Sequence, residues 1–347
     1  MIVSKFGQFR FISVAVLITA FSLVIGCGSQ TREGGAGQVV VYTSVDQVFS
    51  EPIFRDFEKQ TVIRVRAVFD TEETKSTGVV NRIIAESANP QTDLFWSGDP
   101  VRQFLLSKRG LLENYVSPSA SAIPTQFKSP DGTWTGFAAR ARVLLVNKSL
   151  VEQDEMPVSI LDLVNPKWKG RIAIANPLYG TTTFHVAALF TAWGEGRARQ
   201  FINDLKVNGV RVAGSNGEVR RLVVAGEVSL GLTDIDDAFE AVKQGGPVEI
   251  VYLDKDTFGT LVMPTTVVLV RGGPNPVNGR KLVDFLLSAE VEKKMAQAAA
   301  HMPVLSGVEV PGNVPRVQDL RAMEVDYAKV ASEIERIQPW LRDWVGL

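Results

Sequence analysis

The residues most able to do chemistry lie in five short segments, four that follow an apolar strand-like run and one that leads into such a run. They are Thr43–Asp46, Ser97–Pro100, Arg140–Arg142, Pro177–Thr183 and Thr233–Asp237. Their carboxylates suit a cation, whereas hydroxyls and guanidinium groups beside the N-terminus of a helix suit an anion. The chain therefore offers partners for a charged solute of either sign.

The segments around these residues predict an α/β fold. Short apolar runs such as Val39–Tyr42 are typical of buried parallel strands, and apolar residues spaced by three or four positions predict helices between them. The alternation predicts a mostly parallel sheet with right-handed crossovers. Val262–Val270 is the longest strand-like run, and the tail Val317–Leu347 predicts one or two helices. Since ligands in open sheets bind beyond the carboxyl ends of strands, we expect binding groups just after strands.

Composition excludes several classes of protein. The 347 residues carry 37 Lys and Arg against 38 Asp and Glu, so no excess of basic charge predicts a nucleic-acid partner. The single Cys excludes a disulfide framework and a CxxC site. The sequence has no GxSxG, HExxH or P-loop motif, so no hydrolase or nucleotide-binding signature is present.

The first 26 residues have the layout of a secretory signal. Lys5 and Arg10 form a basic start, and the uncharged run 11–26 is shorter than the ~20 residues of a membrane span. The residues before Cys27 resemble the lipobox of bacterial lipoproteins, which implies that Cys27 is acylated and becomes the mature N-terminus. Residues 27–37 then predict a flexible tether. We expect a lipid-anchored protein of the cell envelope, in the periplasm or on the outer face of the cytoplasmic membrane.

Five segments together resemble the ferric-ion-binding, type II periplasmic solute-binding proteins of ABC importers. They are VVVYTSVDQVFSEPIFRDFEKQT, TDLFWSGDP, ARARVLLVNK, NPKWKGRIAIANP and VVAGEVSLGL, in order between residues 39 and 302. The resemblance implies two α/β lobes joined by crossover strands, residues 38–139 with 262–301 and residues 140–261 with 302–347. It also implies a monomer that closes on a small charged solute and delivers it to the permease and ATPase subunits of an importer.

The resemblance implies a metal site that departs from the usual one. The family's His, Glu and two adjacent Tyr match Asp46, Gly98 with Asp99 beside it, and the pair Asp236 and Asp237. The implied metal ligands are Asp46, Asp236 and Asp237, with Asp99 as a further ligand-binding residue. Clustered carboxylates raise one another's pKa, so this arrangement indicates a bound cation. Oxygen ligands suit Fe³⁺, Ca²⁺ or Mn²⁺ and argue against Zn²⁺ and Cu²⁺.

The family's anion-holding positions match Arg140, Tyr179, Gly180, Thr181 and Asn216. A synergistic anion could therefore accompany the metal. Because residues alternate along a strand, we expect one of Arg140 and Arg142 to face the cleft and the other to face solvent or a salt bridge.

The residues leave other interpretations open. An organic cation or zwitterion, such as an aminophosphonate, thiamine or a polyamine, would satisfy the same carboxylates. Asp99 could cap a helix, Asp234, Asp236 and Asp237 could simply open one, and Tyr179–Thr181 could be a turn. We expect His185 and His301 to be structural. A carboxylate-dependent hydrolase or a solute sensor is the alternative of another class.

Overall fold

The computed structural model describes residues 37–70, 77–312 and 314–347. Cys27 and the signal segment 1–26 lie outside the described residues, as does most of the tether. Ten strands form within the described part: β1 Gln38–Thr43, β2 Arg64–Phe69, β3 Leu94–Ser97, β4 Leu112–Glu113, β5 Thr135–Asn147, β6 Ile172–Ala175, β7 Arg211–Ala213, β8 Leu230–Asp234, β9 Val248–Val251 and β10 Val262–Val270.

The same residues form ten α-helices, several of which begin directly after a strand. They are α1 Gln47–Thr61, α2 Thr77–Ala85, α3 Arg102–Lys108, α4 Gly180–Trp193, α5 Glu195–Val207, α6 Asn216–Val224, α7 Ile235–Lys243, α8 Pro276–Leu286, α9 Ala289–Ala299 and α10 Tyr327–Val345. In the part of the chain that the structure describes, no helix combines the length and the apolar character that crossing a membrane requires.

The strands form two parallel groups that two long antiparallel strands connect. The hydrogen-bonded order is β2-β1-β3-β10-β5-β8-β6-β7, with β4 paired to β10 and β9 paired to β5. β1 is parallel to β2 and β3, and β6 is parallel to β7 and β8. β10 and β5 run antiparallel to their neighbours, and every residue of β10 is buried. The carboxyl ends of β1, β3, β6 and β8 therefore supply the loops and helix starts that carry the polar residues.

A buried carboxylate connects the backbone of β5 to the segment that follows α9. Glu292 of α9 accepts hydrogen bonds from the backbone N–H groups of Ala138, Val304 and Leu305, at 3.0, 3.0 and 2.9 Å. Ala138 has a φ of 42°, which is unusual for a residue with a Cβ. Burial raises the pKa of Glu292, although the three N–H donors oppose that effect.

The last helix supports the start of α4. α10 and α4 share one apolar cluster, which contains Phe184, Val330 and Ile337. Gln338 of α10 also donates a hydrogen bond to the carbonyl of Leu178 at 3.3 Å. The predicted tail helix is thus one helix of 19 residues that holds the loop before Tyr179.

Candidate functional site

A cleft of about 710 Å³ opens where several helices begin. It is bordered by the residues that follow β1, β3, β6 and β8 and by the first turns of α4, α6 and α7. All nine predicted ligand-binding residues line it: Asp46, Asp99, Arg140, Tyr179, Gly180, Thr181, Asn216, Asp236 and Asp237. The structure therefore brings the predicted residues to one cavity, although their contacts differ from those that the resemblance implies.

Asp234 is the centre of the polar network at the inner end of the cleft. Its Oδ1 accepts a hydrogen bond from Nη1 of Arg142 at 2.8 Å. Its Oδ2 accepts from Oγ1 of Thr181 at 2.7 Å and from Nδ2 of Asn216 at 3.0 Å, and it lies 3.3 Å from Nη1 of Arg140. The predicted anion-holding side chains thus meet around a carboxylate of the protein itself.

Arg140 connects the two groups of strands. Besides Asp234, its Nη1 contacts Oδ2 of Asp236 at 3.4 Å, and its Nη2 donates to the carbonyl of Gly98. Burial opposes the charge, but the attraction of Asp234, Asp236 and Asp46 outweighs it and raises the pKa of Arg140. A Cβ at Gly98 would lie 3.3 Å from the carbonyl of Ser44, so a glycine suits this close approach.

Arg140 lines the cleft and Arg142 forms a buried salt bridge, as expected for one arginine in the cleft and one in an ion pair, but alternation along the strand is not the reason. Both guanidinium groups reach Asp234, and the side chain of Arg142 has no exposed surface. Residues two positions apart on a strand point to the same face of a sheet. Arg142 also contacts Oδ1 of Asn216 at 3.1 Å and Oγ1 of Thr182 at 3.4 Å.

Asp236 and Asp237 lie in the first turn of α7 but have different surroundings. Asp236 is buried near Arg140, and Nε2 of His301 lies 3.9 Å from its Oδ2. Asp237 lies 3.9 Å from Nη1 of Arg220 on α6. Across the described ranges, no group of three or more His, Cys, Asp or Glu side chains is arranged to hold a metal ion. The metal set Asp46, Asp236 and Asp237 stays a prediction.

The two remaining carboxylates border the cleft from the β1 and β3 side. Asp46 directly precedes α1 and makes no side-chain capping hydrogen bond to that helix. Asp99 accepts hydrogen bonds from the N–H groups of Val101 and Arg102 at 3.0 and 3.2 Å, which is the capping role considered as its alternative. The carboxylate of Asp99 therefore binds backbone N–H groups, and the residue also lines the cavity.

The start of α4 opens onto the cleft. Tyr179 precedes the helix with 52% of its surface exposed, and Gly180 has a φ of 57°. A Cβ at Gly180 would meet no atom within 4 Å. The first N–H groups of a helix lack partners within it, so this end provides donors for an anionic group.

Three residues of the site were not among the predicted ones: Arg142, Asp234 and Arg220. Asp234 stood in one of the five candidate segments because it ends a strand, but the alternative of a helix-opening residue kept it out of the predicted ligand-binding set. Both histidines are buried, as a structural role requires. Burial and the charge of Arg142 lower the pKa of His185, and neither ring nitrogen of His301 has a hydrogen-bond partner among the described residues.

Comparison with known proteins agrees with this architecture. Residues 89–330 match the family of bacterial extracellular solute-binding proteins. The chain is 27% identical over 336 residues to iron uptake protein A1 of Synechocystis sp., covering 90% of this chain and 91% of the relative. It is 26% identical over 295 residues to a putative 2-aminoethylphosphonate-binding periplasmic protein of Salmonella typhimurium, covering 84% and 81%.

The fold matches solved two-lobed binding proteins. The crystal structure of iron-bound HitA from Pseudomonas aeruginosa superposes with a TM-score of 0.80 at 22% identity, covering 88% of this chain and 99% of that one. The predicted two-lobed α/β fold is confirmed, whereas the predicted lobe boundaries are not tested and stay a prediction. The chain belongs to the bacterial extracellular solute-binding proteins, the family of ABC-importer binding components that includes ferric-ion-binding proteins.

Proposed function

We propose that this protein is the lipid-anchored solute-binding component of an ABC importer and that it captures a small organic solute carrying a positively charged amine. The charge of the cleft carries this proposal. Among the described residues the lining has six carboxylates against three basic side chains: Asp46, Asp99, Asp234, Asp236, Asp237 and Glu240 against Arg140, Arg220 and Lys243. A cleft with an excess of one sign of charge concentrates solutes of the opposite sign.

The size of the cleft favours an organic solute over a bare metal ion. Its volume of about 710 Å³ falls within the ~300 to 1,000 Å³ that small-molecule sites typically occupy. The part of the chain described here also has no group of three or more His, Cys, Asp or Glu side chains arranged to hold a metal ion. An ammonium group has three donors and needs only two or three acceptors, which we propose that Asp46 and Asp237 supply from the cleft lining.

A zwitterion would use both kinds of group in the cleft. Its ammonium end would face the carboxylates, and its anionic end would face the first turn of α4 and Arg220. The Salmonella relative is named for 2-aminoethylphosphonate, a compound that has both ends. Aminophosphonates are therefore the first compounds to offer.

We further propose that binding closes the two lobes by bending the connecting strands β5 and β10. A solute that contacts both walls stabilises the closed form only through its greater affinity for that form. The closed monomer would then dock on the permease. Acylation at Cys27 would keep the protein at the membrane, so Cys27→Ser should move it from the membrane pellet to the soluble extract.

The deciding experiment compares two ligands that differ only in the amine. Protein purified without chelator is analysed by native mass spectrometry, and its melting temperature is then measured with 2-aminoethylphosphonate and with ethylphosphonate. We expect a clearly larger increase with the aminophosphonate, because only its ammonium group pairs with the acidic wall. Equal shifts with the two compounds would contradict the role of the amine.

Iron(III) is the second candidate. Asp46, Asp236 and Asp237 line one cavity, and the Synechocystis relative is named for iron uptake. A melting shift with Fe³⁺ and carbonate or citrate, together with none from any amine, would favour this candidate. Chemical turnover of an offered compound would instead indicate an enzyme. Binding of a solute without its transport would indicate the sensor alternative, which requires a signalling partner.

A further inference from the structure

The inner end of the cleft contains a set of donors that is complete for one oxyanion. The guanidinium groups of Arg140 and Arg142, the hydroxyl of Thr181 and the amide of Asn216 all point at the same two oxygen atoms. We define these four side chains as the inner cradle. The oxygen atoms in it belong to Asp234, which is 2% exposed.

The inner cradle contains more donor groups than one structural ion pair requires. Arg142 alone would neutralise Asp234, at 2.8 Å. Thr181 and Asn216 add donors from the first turns of α4 and α6, where helix N-termini favour negative charge. A second guanidinium group arrives from Arg140, whose side chain is 12% exposed. Two guanidinium groups, a hydroxyl and an amide are the groups that bind phosphate, sulfate or carboxylate in proteins.

The inner cradle is also connected to the cavity. Arg140, Thr181, Asn216 and Asp234 all line the cleft. Shortening the side chain at position 234 would therefore extend the cleft into the inner cradle instead of leaving an isolated hole. An ion from solution could then reach the donors.

We propose that Asp234 is the specificity-determining residue of the cleft: it is a built-in counter-anion that occupies an oxyanion seat and so excludes anions from the inner cradle. Without this carboxylate the same cleft binds an inorganic or organic oxyanion. The inference extends the proposed function, because it explains why the remaining lining selects positive charge. It predicts that one substitution gives the inner cradle an affinity for oxyanions from solution.

The test uses Asp234→Ala, with Asp237→Ala as a control that changes the net charge equally without emptying the inner cradle. Melting temperatures are measured in chloride buffer with and without inorganic phosphate or formate. We expect Asp234→Ala to melt lower than the wild type in chloride and to be restored by phosphate or formate. Its apparent phosphate affinity should be at least roughly tenfold higher than that of the wild type or Asp237→Ala, because two buried guanidinium groups form charge-assisted hydrogen bonds with the ion.

A double variant checks that the donors are those of the inner cradle. Asp234→Ala combined with Arg142→Met should lose the phosphate response. The proposal is overturned if Asp234→Ala and Asp237→Ala respond equally to phosphate, or if Asp234→Ala and Asp234→Ser remain unfolded in phosphate and formate as well as in chloride. Binding of an amine by the wild type is a separate measurement, so failure of the proposed solute class would not be confused with failure of this inference.

Discussion

Arg142 and Asp234 are direct partners in the antiparallel pairing of β5 and β8, and their side chains form a buried ion pair of 2.8 Å at the inner end of the cleft. Ninety-two positions separate them in sequence. The strand register thus places opposite charges on facing residues, where cross-strand pairs interact most strongly. Because both charges are buried, neither can return to water if its partner is removed.

Arg142→Met should destabilise the protein strongly. The change leaves Asp234 buried with fewer donors, and breaking a buried pair in this way costs roughly 3 to 5 kcal/mol in the free energy of unfolding. Arg211→Met is the matched control, because Arg211 forms an exposed pair with Glu227 at 2.9 Å and such pairs contribute about 0 to 1 kcal/mol. Urea unfolding of both variants measures the difference, and equal losses would contradict it.

Glu292→Gln should destabilise the contact between β5 and the segment that follows α9. An amide nitrogen would replace one acceptor oxygen and leave a buried backbone N–H without its partner, at a cost of about 1 to 3 kcal/mol. Glu290→Gln on the same helix is exposed and should have little effect. Chemical unfolding of the two variants decides between these outcomes.

The same residue predicts a dependence of stability on pH. The pKa of Glu292 is raised, chiefly by burial, so the folded state holds its proton more tightly than the unfolded state does. This contribution is fully present below the ordinary glutamate pKa of 4.5 and is lost as the pH rises through the folded value. As the pH rises across that window, the free energy of unfolding of the wild type should therefore fall relative to that of Glu292→Gln. A constant difference over the same pH range would contradict the raised pKa.

Two glycine substitutions should have opposite effects. Gly180→Ala forces a Cβ into a left-handed conformation and should cost about 1 to 2 kcal/mol. Gly196→Ala, within α5, meets no atom within 4 Å and should stabilise by up to ~1 kcal/mol through helix propensity. Thermal unfolding of both variants checks the signs, and stabilisation by Gly180→Ala would be the contradicting result.

Removal of a cleft carboxylate should weaken binding of an amine. Asp237→Asn and Asp46→Asn each remove one charge from the cleft lining, and each should lower the affinity for the amine about tenfold, the equivalent of ~1.4 kcal/mol. Asp256→Asn is the control, because Asp256 is exposed and does not line the cleft. Titration calorimetry with the compound found in the melting screen gives the affinities. An unchanged affinity in both cleft variants would remove these residues from the site.

Local sequence patterns predicted the fold better than they predicted the contacts of the site. The run Val262–Val270 is a strand with those bounds, because an apolar run of that length is buried on both faces. The two-residue β4 and the strand β9 carry too little periodicity to be recognised alone. The role of Asp234 depends on the register between β5 and β8 and on the starts of α4 and α6, which only tertiary structure determines.

Because α10 packs against α4, the end of the chain affects the position of residues that line the cleft. The carbonyl that Gln338 binds belongs to the residue immediately before Tyr179, so a shift of the terminal helix would move the mouth of the cavity. Substitutions in α10, none of whose residues lines the cleft, could therefore change the affinity for the solute. Two importers with identical cleft residues could differ in what they transport because their chain ends differ.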